Sequence, residues 1–155
     1  MAVDGIPPLE APRFVTADAA QDWINPRDDL IGVVVNGDAR AYPIRIIAWH
    51  EMVNDTIGGI PVSLAYCTLC GSAIVYDDRI GDTVNDFGIS GLLYRSNKLM
   101  YDRQTDTLWE QFSGRPAWGP LVDDGLRLTV VPSVATTWQE WVAAHPGTVV
   151  VDIDT

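Results

Sequence analysis

The chain has 155 residues and a formal net charge of −11, with ten lysine and arginine residues against 21 aspartate and glutamate residues. Hydrophobic residues make up 47% and charged residues 20%, which is typical of a folded globular chain. The length favours a single domain over residues 1–155. The acidic charge argues against nucleic acid as the main partner. No apolar stretch approaches the roughly 20 residues that span a bilayer, and residues 1–12 show no signal-peptide pattern.

In the first half of the chain, proline, capping and periodicity signals predict an extended segment, two short helices and a hairpin. In chain order these are the extended segment 1–12, a helix over 17–24, hairpin strands at 30–35 and 39–42, and a helix over 43–53. The hairpin prediction depends on Asn36-Gly37, which is typical of a two-residue turn. The second helix begins at Pro43, which suits the first helical turn.

In the second half of the chain, apolar runs broken by turn residues predict mainly strands. In chain order these are strands at 60–66 and 73–76, a strand at 87–93, paired strands at 98–103 and 107–112, a hairpin over 121–131, and a last strand at 148–153. Thr137 and Glu140 form a capping box that predicts a final helix before that strand. Together the elements predict an α+β fold, a single domain with a mainly antiparallel sheet or partly closed barrel and about three short helices.

The two cysteines of the chain, Cys67 and Cys70, are three residues apart between two predicted strands. A tight connection with this spacing allows both sulfurs to face one metal ion, one substrate or each other. His50 is the histidine that could join them, because His145 follows the last helix as a cap. Two thiolates and one imidazole form an open site that suits Cu(I), with Zn(II) as the alternative. We therefore expect a metal-binding protein, with copper as the cofactor, that could act as an oxidoreductase.

Two further hypotheses use the same cysteines without a metal. A metal-free dithiol oxidoreductase is one, but a redox Cys-x-x-Cys usually opens a helix, whereas another strand is predicted here. This hypothesis therefore ranks below the metal site. The other is a non-catalytic binding domain in which Cys67 and Cys70 are structural. Metal analysis and thiol titration separate the three.

A second concentration of functional residue types follows the strand that begins at Lys98. Asp102 could act as an acid or base, and Arg103 could contact an anion. Tyr66, directly before the first cysteine, completes the set of candidate catalytic residues. An ordinary half-buried strand with a salt bridge is the alternative for Asp102 and Arg103.

Five motifs occur in a fixed order along the chain. They are Ala41-Tyr42-Pro43, Trp49-His50-Glu51-x-x-Asn54-Asp55, Tyr66-Cys67-x-x-Cys70, Phe87-Gly88-x-Ser90-Gly91-Leu92 and Met100-Tyr101-Asp102-Arg103-Gln104-Thr105. Their combination resembles the domain-of-unknown-function 3179 family of bacteria and archaea, over about residues 6–151. The resemblance implies that His50, Cys67, Cys70, Asp102 and Arg103 belong to the family's pattern, and it implies no activity. Many family members look exported or lipid-anchored, so an exported or periplasmic location is what the resemblance suggests. Thr68 stands where many relatives have proline.

Overall fold

A computed structural model describes residues 3–155, so residues 1 and 2 of the expected extended segment 1–12 lie outside the described residues. The strands are β1 Leu9–Glu10, β2 Phe14–Thr16, β3 Asp29–Val35, β4 Asp38–Pro43, β5 Met52–Ile57, β6 Ile60–Cys67, β7 Ser72–Asp77, β8 Arg79–Ile80, β9 Thr83–Val84, β10 Phe87–Tyr94, β11 Asn97–Asp102, β12 Leu108–Glu110, β13 Pro116–Trp118, β14 Thr129–Val131, β15 Ser133–Thr137 and β16 Val149–Val151. The helices are α1 Ile44–His50, α2 Trp138–Ala144 and a 3-10 helix at Ala19–Asp22. Within residues 3–155, no helix is long and apolar enough to cross a membrane.

Three sheets stack in layers. The central sheet has the order β1-β5-β6-β7-β14, the flanking sheet β15-β3-β4-β16-β2, and the third, which we call the hairpin sheet, β10-β11-β12-β13. Strands β8 and β9 form a separate short ribbon. Pairing is antiparallel except between β1 and β5 and between β16 and β4.

The central sheet is buried on both faces, because successive side chains of a strand point to opposite faces and β6 is apolar and buried at neighbouring positions. Along β6, Val62 and Leu64 pack with the flanking sheet, whereas Ala65 belongs to the core shared with the hairpin sheet. A third apolar cluster lies on the outer side of the flanking sheet and includes Trp138 and Trp141 of α2. The region where the central and hairpin sheets meet holds the cysteine turn.

The predicted α+β class is wrong, because within residues 3–155 strands make up 48% and helices 12%, and none of the sheets found there closes into a barrel. The helix expected to reach Val53 ends at His50. Glu51 then takes a left-handed backbone conformation with φ of 58°, and the chain continues as β5. The helix expected over 17–24 is a four-residue 3-10 turn. Residues 121–131 contribute only β14 in place of the expected hairpin.

Two local predictions are confirmed. Strands β3 and β4 pair as a hairpin with Val35 opposite Asp38, so Asn36 and Gly37 form its turn. Helix α2 begins after Thr137, whose side-chain oxygen accepts a hydrogen bond from the Glu140 amide at 3.4 Å. In both cases the signal lies within a few adjacent residues, which is why the sequence was sufficient.

Gly32 of β3 provides a test of how closely α2 packs on the flanking sheet. A methyl group at Gly32 would lie 2.3 Å from a ring carbon of Trp141. The indole cannot easily move, because it is 3% exposed and its Nε1 donates to Thr148 Oγ1 at 2.9 Å. We expect Gly32→Ala to lower the free energy of unfolding by about 1–3 kcal/mol, measured by urea denaturation. Gly147→Ala, where nothing lies within 4 Å, is the control, and equal stability of the two variants would contradict the prediction.

Asp78 is a buried carboxyl group directly after the end of β7 in the central sheet. The side chain is 5% exposed, and its Oδ1 has no hydrogen-bond partner among the described residues. Burial raises the pKa of Asp78 from 3.8 to about 7; a hydrogen bond from Ser63 opposes the change, and the charges of Asp77, Asp86 and Glu10 add to it. Ionised Asp78 is therefore unfavourable in the folded state.

This raised pKa predicts the pH dependence of stability. Between pH 4 and pH 7 the folded chain holds a proton on Asp78 that the unfolded chain has released, so the free energy of unfolding falls as the pH rises through this window. We expect Asp78→Asn to remove this fall and to be more stable than wild type at pH 8 by up to a few kcal/mol, since one pKa unit corresponds to about 1.4 kcal/mol. Urea denaturation at several pH values measures this. Asp123→Asn, which changes an exposed carboxyl group, is the control. If stability fell with pH equally in wild type and in Asp78→Asn, the prediction would be wrong.

Candidate functional site

The two cysteines lie at the end of the β6–β7 hairpin. Cys67 is the last residue of β6 and pairs with Ser72, so residues 68–71 form the turn. Gly71 closes it with a φ of +60°, a conformation that glycine adopts without strain. Cys67 points into the core and is 2% exposed, whereas Cys70 is exposed, and both are free thiols. The hairpin therefore exposes the Cys70 side chain to solvent and buries that of Cys67.

The Cys70 sulfur accepts hydrogen bonds from its surroundings. Asn97 Nδ2 donates to Cys70 Sγ at 3.2 Å. The pKa of the Cys70 thiol lies below its ordinary value, mainly because of the neighbouring Cys67 thiol; desolvation opposes this, and Asn97 and Ser72 add to the lowering. These donors stabilise the thiolate form, which is the nucleophilic form of cysteine. No helix N-terminus contributes, because a strand follows the turn.

A buried amide holds Asn97 in position. Gln111 is fully buried, and its Oε1 accepts from Asn97 Nδ2 at 2.6 Å. Its Nε2 donates to the carbonyl oxygens of Ala65 at 2.6 Å and Ser72 at 3.2 Å, one on each strand of the cysteine hairpin. Gln111 thus connects the hairpin sheet to the central sheet, and it fixes the Asn97 amide next to Cys70.

Lys98, the single lysine of the chain, follows Asn97 on β11 and reaches the backbone directly before Cys67. It is 5% exposed, and its Nζ donates to the carbonyl oxygens of Glu51 at 2.7 Å and Tyr66 at 3.3 Å. Burial lowers the pKa of Lys98 to about 8, while the negative charges of Glu51 and of a Cys67 thiolate oppose this. The site therefore contains an amine whose charge changes near neutral pH.

His50 lies in sequence next to Glu51, but its ring faces the N-terminal segment. The ring Nδ1 is 3.0 Å from the carbonyl oxygen of Pro7, to which it donates as Nδ1–H. Across residues 3–155 there is no cluster of three or more histidine, cysteine, aspartate or glutamate side chains that could hold a metal ion. The structure therefore brings Cys67 and Cys70 together and does not bring His50 to them as a third ligand.

Asp102 lies at the opposite end of β11 from Asn97, roughly 16 Å away at 3.3 Å per residue. It is fully buried and accepts hydrogen bonds from Trp109 Nε1 at 2.8 Å and from the Thr105 amide at 2.6 Å. These contacts order the turn between β11 and β12. A catalytic role for Asp102 stays a prediction, and the structure places it away from the cysteines.

Arg103 and Tyr66 also lie apart from the sulfurs. Arg103 forms ion pairs with Asp86 at 2.7 Å, Glu10 at 3.1 Å and Asp4 at 3.3 Å, and so connects the N-terminal segment to the hairpin sheet. The Tyr66 side chain packs on the core shared with the flanking sheet, the opposite face of β6 from Cys67. The predicted catalytic roles of both residues stay predictions.

Sequence reasoning missed Asn97, Lys98 and Gln111 as members of the cysteine site. For Lys98 a signal existed, because strand alternation places this lone lysine on the same face as the apolar Met100. For Asn97 and Gln111 there was none, since their approach to Cys70 depends on how two sheets pack.

Comparison with known proteins identifies a family. The model of a family described as "Protein of unknown function (DUF3179)" matches residues 3–155, essentially the whole chain, so the chain belongs to this family. No curated protein and no solved structure matches it.

The hydrogen bond from Asn97 predicts how the reactivity of Cys70 depends on pH. Asn97→Ala removes a donor to the sulfur, so we expect the pKa of Cys70 to rise and its alkylation by iodoacetamide at pH 7 to slow several-fold. The rate of alkylation as a function of pH gives both quantities. Gln139→Ala, on the exposed face of α2, is the control. An unchanged pH profile in a folded Asn97→Ala protein would show that the amide does not stabilise the thiolate.

Proposed function

We propose that this DUF3179-family chain is a dithiol oxidoreductase in which Cys70 attacks disulfides and Cys67 completes the exchange. The observation that carries the proposal is the asymmetry of the pair. Cys70 is exposed and its sulfur accepts a hydrogen bond from Asn97, whereas Cys67 is 2% exposed. An accessible thiolate beside a buried partner thiol is the arrangement that thiol–disulfide exchange requires.

The reaction has two steps. The Cys70 thiolate attacks one sulfur of a substrate disulfide, the substrate S–S bond breaks, and the other substrate sulfur leaves as a thiolate. Cys67 then loses its proton to solvent and attacks Cys70 Sγ, which forms the Cys67–Cys70 disulfide and releases the second substrate thiolate. Two electrons pass from the dithiol to the substrate, and both released thiolates can take up a proton. Operation in reverse would oxidise a substrate dithiol.

We prefer the dithiol hypothesis to the metal hypothesis for a structural reason. The sequence predicts a strand after the cysteines, whereas redox cysteine pairs usually open a helix, whose N-terminus lowers the thiol pKa. Here the side chains of Cys67, Asn97 and Ser72 have that effect on Cys70 without a helix. The third ligand that the open metal site needed, His50, donates to Pro7 instead.

Copper binding is a second candidate, supported by the position of both thiols on one tight turn. Cys67 ends β6 and Cys70 lies in the turn of residues 68–71, so both sulfurs can approach one ion. Cu(I) accepts few, soft ligands, so a pair of thiolates suits it, whereas the alternative, Zn(II), needs further ligands. In this form of the proposal Cys67 and Cys70 bind the metal, and His50 would join them only if its ring turned away from Pro7.

Single cysteine variants test the dithiol proposal. Reduced protein is mixed with bis(2-hydroxyethyl) disulfide, and the products are identified by mass spectrometry. We expect wild type to form the Cys67–Cys70 disulfide and Cys67→Ala to accumulate a mixed disulfide on Cys70. Because Cys67 is buried, Cys70→Ala should react at least about tenfold more slowly than Cys67→Ala.

Ser133→Ala, an exposed substitution on β15, should behave as wild type. A persistent mixed disulfide in wild type would show that Cys67 does not complete the exchange. A Cu(I) titration of wild type and His50→Ala against a competing chelator tests the second candidate separately. Tight binding that is lost in Cys67→Ala and in Cys70→Ala would support it.

A further inference from the structure

We infer that the pocket next to the cysteine turn binds an apolar group of the substrate, so that the site acts on disulfides flanked by apolar, preferably aromatic, side chains. This inference rests on the proposed function and names its substrate class. It is carried by the walls of the pocket, by the internal pairing of its polar groups and by its continuity with the turn that bears Cys70.

The pocket lies between the cysteine turn and the hairpin sheet and has a volume of about 260 Å³. Thr68 and Leu69 of the turn form one wall, while Leu92 and Leu93 of β10 form another. Leu69 directly precedes Cys70, so the pocket is one residue along the turn from the exposed Cys70 sulfur.

Three of the four leucines that line the pocket are exposed, whereas Leu99 is buried. Leu69 is 71% exposed, Leu92 51% and Leu93 53%. Strand β10 is the outer strand of its sheet, so in residues 3–155 no further strand covers this half of it. Clustered apolar side chains on a solvent-exposed protein surface are typical of a binding site. Because Leu69 of this wall directly precedes the exposed Cys70, the partner of this apolar surface is the substrate of that thiol.

The charged groups that line the pocket already have hydrogen-bond partners within the protein, which favours an uncharged ligand. The Glu51 carboxylate accepts a hydrogen bond from Thr68 Oγ1 at 2.7 Å. The Lys98 ammonium donates to the carbonyl oxygens of Glu51 and Tyr66. Because one negative and one positive group line the pocket and both are paired within the protein, charge complementarity favours a neutral occupant. Apolar cavities of about 150 Å³ accept benzene, so a pocket of about 260 Å³ has room for an aromatic ring.

Two synthetic tetrapeptides test the inference. Both carry one cysteine as its mixed disulfide with 2-mercaptoethanol, and they differ only in having phenylalanine or serine after that cysteine. Reduced Cys67→Ala protein reacts with each peptide, and mass spectrometry gives the rate at which the peptide is transferred to Cys70. We expect the phenylalanine peptide to react at least about tenfold faster, in the range by which apolar pockets discriminate.

The double substitution Leu92→Ser and Leu93→Ser, made in the Cys67→Ala background, should abolish this preference. Val130→Ser, which replaces a residue 52% exposed on β14, should retain it. Circular dichroism confirms that each variant is folded. Equal rates for the two peptides, or a preference that survives in the double variant, would overturn the inference and leave the proposed function intact. Failure of Cys70 to react with either peptide would overturn both.

Discussion

The left-handed turn at Glu51 is the constraint on which the fold and the site both depend. A non-glycine residue at a φ of 58° costs about 1 kcal/mol or more. Three hydrogen bonds offset this cost. The Glu51 amide donates to Ile47 at 2.7 Å, which ends α1, and the Glu51 carbonyl accepts from the Tyr66 amide at 2.9 Å and from Lys98 Nζ at 2.7 Å. The same residue therefore stops the helix, sets the β5–β6 register and positions Lys98 beside the cysteine turn.

The site is built from polar groups buried where two sheets meet, which is costly unless every group is paired. Gln111 satisfies this condition, since both of its amide atoms have partners on the cysteine hairpin or on Asn97. A core of this kind orients the Asn97 amide toward Cys70 without depending on a flexible loop. Packing between sheets thus adds the Asn97 donor to the effect of Cys67, which is the main cause of the lowered pKa of Cys70.

The sequence was sufficient for features whose signal is local. Asn36-Gly37 defined a hairpin, Thr137 and Glu140 defined a helix start, and the spacing of Cys67 and Cys70 indicated a shared turn. It was not sufficient at Met52–Ile57, because the apolar residues there fit helical spacing as well as strand alternation, and the turn at Glu51 decided between them. The sequence also could not predict the position of the His50 ring or the approach of Asn97 and Gln111 to Cys70. These positions depend on contacts between residues that are 14 to 43 positions apart in the chain.

The two ends of β11 show why clustering of functional residue types along a sequence is a weak guide to a site. At one end, Asp102 and Arg103 have their charges and hydrogen bonds engaged by the next turn and by the N-terminal segment. At the other end, Asn97 donates to the Cys70 sulfur, and Lys98 donates to the backbone carbonyl directly before Cys67. A side chain already paired on every side stabilises the fold, whereas one that donates to an exposed sulfur changes its reactivity. On this physical criterion we propose the cysteine end of β11 as the reactive one, while the contacts of Asp102 and Arg103 hold the sheet to the next turn and to the N-terminal segment.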